Sequence, residues 1–301
     1  MGHFQTQQNL LLELDGNAVG RLFAFTGGAM KADVIESTRG GYVVNKHIAS
    51  VRFQDMEFTL GAGMSRSFYN WIADSVSGSY ARKNGAVVML DFDQKAKFRA
   101  EFTNALVQEI VFPELDASSH TNGSIKVTIS PEIIRSKAGD SGAKVGIYMS
   151  AMPPAWKLGR FRLSIDGLEK ECRHVTQISS LRIGQKIASD SVGESRATLK
   201  EPGKTEFSNL TINLPEMYAD GFFQWADDFL IKGNNSQSSE KTGRLEFLAA
   251  SSKPYFAIDF GGLGITEVAG PSALREKTNR PLKISMYCES MKFTAEALAI
   301  R

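Results

Sequence analysis

Apolar and polar residues alternate from Met56 to Leu60, with Met56, Phe58 and Leu60 on one side, and again from Leu210 to Leu214, with Leu210, Ile212 and Leu214 on one side. A period of two predicts a strand with one buried face at each place. Phe53 and Phe207 precede these strands out of phase. That parity change predicts a bend or bulge, since a one-residue slip otherwise turns the aromatic to the opposite face. After a break containing Gly61 and Gly63, Phe68, Trp71, Ile72 and Val76 fall on one face of a helix ending near Gly78. After Pro215, Phe222, Trp225, Ala226, Phe229 and Leu230 take helical spacing, with Asp220 as N-cap and Gly233 as stop. Further alternation predicts strands through Phe98, Ala100 and Phe102, through Phe256, Ile258 and Phe260, and finally through Ile125, Val127 and Ile129 and through Leu282, Ile284 and Met286.

The elements come twice in the same order. Leu14-Asp15-Gly16 matches Ile165-Asp166-Gly167, and Phe53 with Trp71 matches Phe207 with Trp225. Gly85, Phe102 and Pro113 match Gly243, Phe260 and Pro271, and Ile125 and Val127 match Leu282 and Ile284. The separation between partners drifts only from 151 to 158 residues, as small loop insertions would make it. The pattern predicts a tandem duplication. Each half reads as mainly β (α+β): an antiparallel β-sandwich or part-barrel with one packed helix. The expected organisation is a first domain over 1–135, a linker over 136–159 rich in Gly, Ala, Ser and Pro, and a second domain over 160–301. Such a linker could extend to about 80 Å, enough to set two domains side by side.

Composition removes several classes of function. Thirty-five basic and thirty-three acidic residues leave a net charge of +2, so no global field favours nucleic acid, a membrane surface or an acidic substrate. No run of about eighteen apolar residues occurs and the first thirty residues lack a signal-peptide pattern, so the chain is expected to be made and kept in a cytoplasm. Cys172 and Cys288 belong to no CxxC or Cys/His cluster and read as reduced, mostly buried thiols. His3, His47, His120 and His174 are scattered, with no HExxH, no GxSxG and no phosphate loop. The Gly-rich DFGGLGITEVAG reads as a strand corner, because its counterpart EFTNALVQEIVF has no glycine. Asp15 with Asp166 and Glu109 with Glu267 recur as turn or strand residues rather than as an acid and base pair. Neither catalysis nor a cofactor or metal is expected.

Two long polar excursions, Glu36 to Phe53 and Ser189 to Phe207, read as hairpins. Excursions of this length in compact domains tend to be functional, although a merely solvated loop is the other reading. Trp71 and Trp225 read chiefly as core anchors, with an inter-subunit contact as the other possibility.

The order of a short LDG strand, a long hairpin, an alternating strand, a helix with a central Trp and then FTNALVQEIVFPELDASSHTNGSIKVTIS resembles the tail-tube proteins of contractile phages and phage-like contractile injection systems. FGGLGITEVAGPSALREKTNRPLKISM in the second half resembles the same closing module. The resemblance implies β-sheets joined edge to edge into a ring around a lumen, with rings stacked by long loops. The family's six-domain rings would need only three two-domain chains, a homotrimer with pseudo-sixfold symmetry; the implied role is the inner tube, and the departure to two unlike domains also suits a specialised ring, such as a tube initiator, a baseplate adaptor or a terminal cap. It implies as partners further copies of the chain, sheath, baseplate or neighbouring tube proteins, and a cargo of DNA or protein within a virion tail or injection particle. On this reading Phe53, Trp71, Phe207 and Trp225 are duplicated core anchors. Arg39, Gly40, Gly41, Lys46, Glu194, Arg196, Lys200 and Lys204 are candidates for the ring-stacking loops. The alternative from another class is a soluble two-domain β module binding a carbohydrate or a partner protein, which predicts a stable monomer with a concave pocket.

Overall fold

The computed structural model describes residues 9–39, 43–91, 93–139, 156–190, 199–270 and 281–296. The first half runs β1 (Asn9–Leu14), β2 (Asn17–Leu22), β3 (Ala24–Gly27), β4 (Met30–Arg39), β5 (Val43–Phe53), β6 (Met56–Leu60), α1 (Arg66–Val76), β7 (Lys83–Leu90), β8 (Ala96–Phe112), β9 (Leu115–Asp116), β10 (Ile125–Ser130) and β11 (Ile133–Ala138). The second runs β12 (Phe161–Ile165), α2 (Glu169–Cys172), β13 (Gln177–Ile178), β14 (Leu181–Asp190), β15 (Leu199–Phe207), β16 (Leu210–Pro215), α3 (Asp220–Ala226), β17 (Lys241–Leu248), β18 (Pro254–Ala269) and β19 (Pro281–Ala295). The fold is mainly β, and every named strand pair is antiparallel.

The residues matched between the halves occupy matching places in the sheets. Gly85 stands opposite Leu14 on one side and Phe102 on the other. Gly243 stands opposite Ile165 and Phe260. In the first half the glycine leaves room for the aromatic, since a Cβ on Gly85 would come within 2.5 Å of the Phe102 ring, whereas a Cβ on Gly243 would meet the Ser164 carbonyl, Leu263 and Ile165 first. Val127 pairs with Phe58 and Ile110, as Ile284 pairs with Ile212 and Val268. The register shifts between Thr128 and Ile129 and again between Ile265 and Glu267, the same step in each half. The strand corner read from the glycines of β18 is present at Gly262, with φ +63°, and Asn104 takes φ +52° at the corresponding point of β8. Asparagine is among the few residues that tolerate the left-handed region, which explains how the first half turns without a glycine.

Three local expectations need correction. Phe53 and Phe207 do not enter a bulge. β5 and β15 end on them, and after two residues the chain starts β6 and β16 in a different sheet, so the parity change marks a switch of sheet. α1 forms as expected, with Ser65 as N-cap accepting from the Phe68 N–H at 3.3 Å. α3 differs: its N-cap is Ala219, without a side-chain bond, Asp220 being the first helical residue, and Asp227–Ile231 continues as a π turn. The wider turn keeps Phe229 buried and rotates Leu230 out to 46% exposure. The segment expected to be a linker is structured where it is described. Residues 136–138 complete β11, and Trp156 is buried against Phe247 and Phe256 with ring centroids 5.3 and 6.3 Å away.

β8 joins the two halves. Its first part lies between β7 and β11, and its second part lies between β10 and β14, a strand of the second half. β9 of the first half in turn ends the sheet of the second by pairing with β13. Buried apolar residues from both halves accordingly form one continuous core.

Candidate assembly interface

Four backbone pairs make the seam between β8 and β14: Leu181 with Phe112, Arg182 with Val111, Ile183 with Ile110 and Gly184 with Glu109. Each half thus completes a sheet of the other, and no strand edge is left open along the seam. The Arg182 guanidinium bonds to the Glu109 carboxylate across it. Phe112, fully buried, leaves its own half to stack on Phe247 and Phe293, with centroids 5.5 Å away in both cases. Tyr69 on α1 packs against Phe256 and Phe293 at 5.6 and 6.1 Å and is only 2% exposed. Burial pushes its phenol pKa upward.

A buried polar cluster fastens the hairpin β14–β15 to the first half. The Lys200 ammonium donates to the Ser130 hydroxyl at 2.7 Å and lies 3.3 Å from an Asp55 carboxylate oxygen, while Ser130 itself donates to Asp55. The Lys200 backbone N–H donates to Glu132, whose other oxygen accepts from the Asn104 amide at 2.8 Å. Arg82 donates to the Lys200 carbonyl at 2.6 Å. Lys200 and Glu132 are both buried, so each ion depends on these partners to replace water.

The corresponding surfaces of the second half are uncovered. Glu267–Ala269 of β18 pairs with β19, and among the described residues no strand takes its other edge. Lys283 and Ser285 donate to Glu267 and hold its carboxyl below the usual range. Phe223, which stands on α3 where Tyr69 stands on α1, is 40% exposed. The hairpin β4–β5 forms a two-stranded sheet of its own, and Met30, Val34, Ile35, Val44 and Ile48 all face solvent from it. A two-stranded sheet with an apolar surface is barely stable alone in water, so this arrangement marks a surface meant to be covered.

Trp71 and Trp225 are buried, and Phe53 and Phe207 are half-buried against the core. Arg39 closes β4, while Gly40, Gly41, Glu194 and Arg196 lie outside the described residues. Lys46 is exposed on β5, 2.9 Å from Glu36, and Lys204 is exposed on β15. Lys200 does not sit on a free loop as expected; it lies in the buried cluster within the chain. Sequence reasoning missed Phe112, Tyr69 and the acceptors Asp55, Ser130 and Glu132. Phe112 carries a weak signal, an aromatic at a strand end just before Pro113; the acceptors carry none, being ordinary polar residues at strand ends.

Among the described residues no group of three His, Cys, Asp or Glu side chains is placed to hold a metal, and no helix is long and apolar enough to cross a membrane. Cys172 and Cys288 are free thiols, buried and half-buried, and burial pushes their pKa values up to about 12 and about 11.

Residues 6–134 match the family of the T4-like virus tail tube protein gp19. Among solved structures, the chain is similar to one in the sheath-tube complex of an extracellular contractile injection system, PVC, in the extended state. That match has 15% identity and a TM-score of 0.39 and covers 43% of this chain and 88% of the other. A chain of the anti-feeding prophage tube-terminating cap matches with 14% identity and a TM-score of 0.39, over 46% and 93% of the two chains. Hcp1 from Flavobacterium johnsoniae matches with 12% identity and a TM-score of 0.27, over 46% and 96%. No curated protein matches the chain.

Proposed function

We propose that the protein is a ring-forming structural component of a contractile phage tail or phage-like injection particle. It acts by assembly, without catalysis or a cofactor. The family match over residues 6–134 carries this reading. Two further observations support a tandem duplication, with tail-tube-like domains over 1–135 and 160–301. The paired triplets Leu14, Gly85, Phe102 and Ile165, Gly243, Phe260 recur in the same order, and the register shift recurs at the same step. With two such domains per chain, three chains make a pseudo-sixfold ring around a lumen, as tube, initiator, adaptor or cap. Arg39, Gly40, Gly41, Lys46, Glu194, Arg196 and Lys204 are then the candidate residues for contacts with neighbouring rings, sheath or baseplate. The particle would be assembled in a cytoplasm.

Negative-stain electron microscopy of the purified chain, alone and at high protein concentration, tests the reading. Six-lobed rings with alternating lobes, or stacked tubes, are the expected result. Two-lobed single particles under all conditions overturn the ring.

A further inference from the structure

The seam inside the chain is a template for a second seam between chains. Ile183 stands opposite Phe207 as Met30 stands opposite Phe53, so Leu181–Gly184 of β14 corresponds to residues 28–31 at the start of β4. Ile110 stands opposite Val127 as Val268 stands opposite Ile284, so the acceptor residues 109–112 of β8 correspond to 267–270. Inside the chain residues 181–184 of β14 pair with residues 109–112 of β8. The other two segments, residues 28–31 and 267–270, are held on one side only, by β5 with the two residues after it and by β19, and among the described residues no strand takes their other edges.

We infer that the β18 edge at 267–270, together with Phe223 on α3, receives the β4–β5 hairpin of a second copy of this chain, in the register that β14 uses on β8. The inference rests on the ring reading and assigns its contact residues. Carried over, the register sets Gly28 opposite Gly270, Ala29 opposite Ala269, Met30 opposite Val268 and Lys31 opposite Glu267. The last pair is of opposite charge; within the chain Glu109 stands opposite Gly184 instead and takes its cation diagonally, from Arg182.

Independent features agree with the same docking. Tyr69 is covered by Phe256 of the second half, and the position of Phe256 in the first half is held by Phe98. Phe223, at Tyr69's position, therefore meets Phe98 of the incoming copy. Lys46 occupies on β5 the position of Lys200 on β15, and Glu289 occupies the position of Glu132. Lys46 and Glu289 are both exposed within one chain, and docking brings the two charges together. The exposed Met30 side chain, 69% accessible, is then covered. One contact is lost: Gly270 stands where Phe112 stands, so the seam between chains lacks the aromatic that enters the neighbouring core. The contact is head to tail, hence heterologous, and it closes only if successive rotations sum to a full turn.

The test is a disulfide between copies. In a Cys288→Ser background, Met30→Cys and Val268→Cys are combined, and the full chain is oxidised and run on a non-reducing gel. A ladder of covalent multimers is expected, absent from either single variant. As a second measure, Lys31→Glu and Glu267→Lys should each weaken self-association by about tenfold, and the double reversal should restore it. Rings in the microscope with no ladder and no effect of charge reversal overturn this docking while the ring reading stands. A chain that stays monomeric overturns both. A disulfide formed within one chain also overturns the docking, because the two segments would then already be partners.

Discussion

The Lys200 ammonium of the second half lies 2.7 Å from the Ser130 hydroxyl of the first, and the Lys200 side chain is buried where the hairpin that carries it meets the first half. Lys46, at the matching position of the other hairpin, has only an exposed partner, Glu36. The same residue type at the same place in two similar hairpins is thus used in opposite ways.

Replacing Lys200 by Met should cost about 2–3 kcal/mol, because charged hydrogen bonds are lost and Asp55 and Ser130 keep no cation. Lys46→Met should change stability by no more than about 0.5 kcal/mol, since an exposed pair contributes little. Urea unfolding of both variants checks the contrast, and equal effects would contradict the buried cluster.

The two tryptophans should differ on substitution by Phe. The Trp71 indole donates to the Ala81 carbonyl at 2.7 Å, whereas the Trp225 indole nitrogen is buried without a hydrogen-bond partner, its ring packing edge-on against Phe229 with centroids 6.0 Å apart and lying under Lys241, 5.5 Å from the centroid. Trp71→Phe should therefore cost about 1 kcal/mol more than Trp225→Phe. Trp71→Ala should cost about 3–5 kcal/mol, as other large cavities do. Thermal melts rank the three variants.

The strand corners give a backbone test. Gly262→Ala should destabilise by about 1–2 kcal/mol, the cost of a side chain in the left-handed region, and its Cβ would also crowd Glu289 at 2.6 Å. Asn104→Gly should keep the corner but lose the bond to Glu132, so its effect should come from the cluster at the seam. Combining Asn104→Gly with Lys200→Met should give about the sum of the two losses, because the Lys200 side chain acts through Ser130 and Asp55 and its backbone bond to Glu132 is kept in the variant.

Alkaline pH should loosen the fold through Cys172. Its thiol titrates near 9.0 when unfolded and is raised by burial to about 12. Below pH 9 the thiol is protonated in both states and contributes no pH dependence. As pH rises from 9 towards 12 only the unfolded chain releases the proton, so stability falls. Urea midpoints at pH 8 and pH 10 should differ less in Cys172→Ala than in the unchanged protein. At pH 8, thiol reagents should label Cys172 only after unfolding.

Much of the fold was legible because periodicity reports burial. Met56, Phe58 and Leu60, and Leu210, Ile212 and Leu214, all lie in the core as the alternation requires. The pairing of Gly85 with Phe102 and of Gly243 with Phe260 was implicit in their matched positions. The parity of Phe53 was misread because a switch of sheet and a bulge leave the same trace in sequence. Leu230 was misread because helical spacing assumes 3.6 residues per turn and the π turn breaks it. The interface was the least legible part. Lys200 reads as a solvated loop residue in a run of polar neighbours, and only the meeting of β8 with β14, far apart in the chain, makes it a buried ion.

That meeting has a physical consequence for dilution. Because β8 and β14 belong to one polypeptide, their pairing is a unimolecular event, with an effective concentration fixed by the connecting chain and of about millimolar order for short flexible tethers. Dilution that drives separate subunits apart leaves this seam closed. Half of the edge-to-edge contacts in any larger assembly of such chains would then be present before two molecules ever collide.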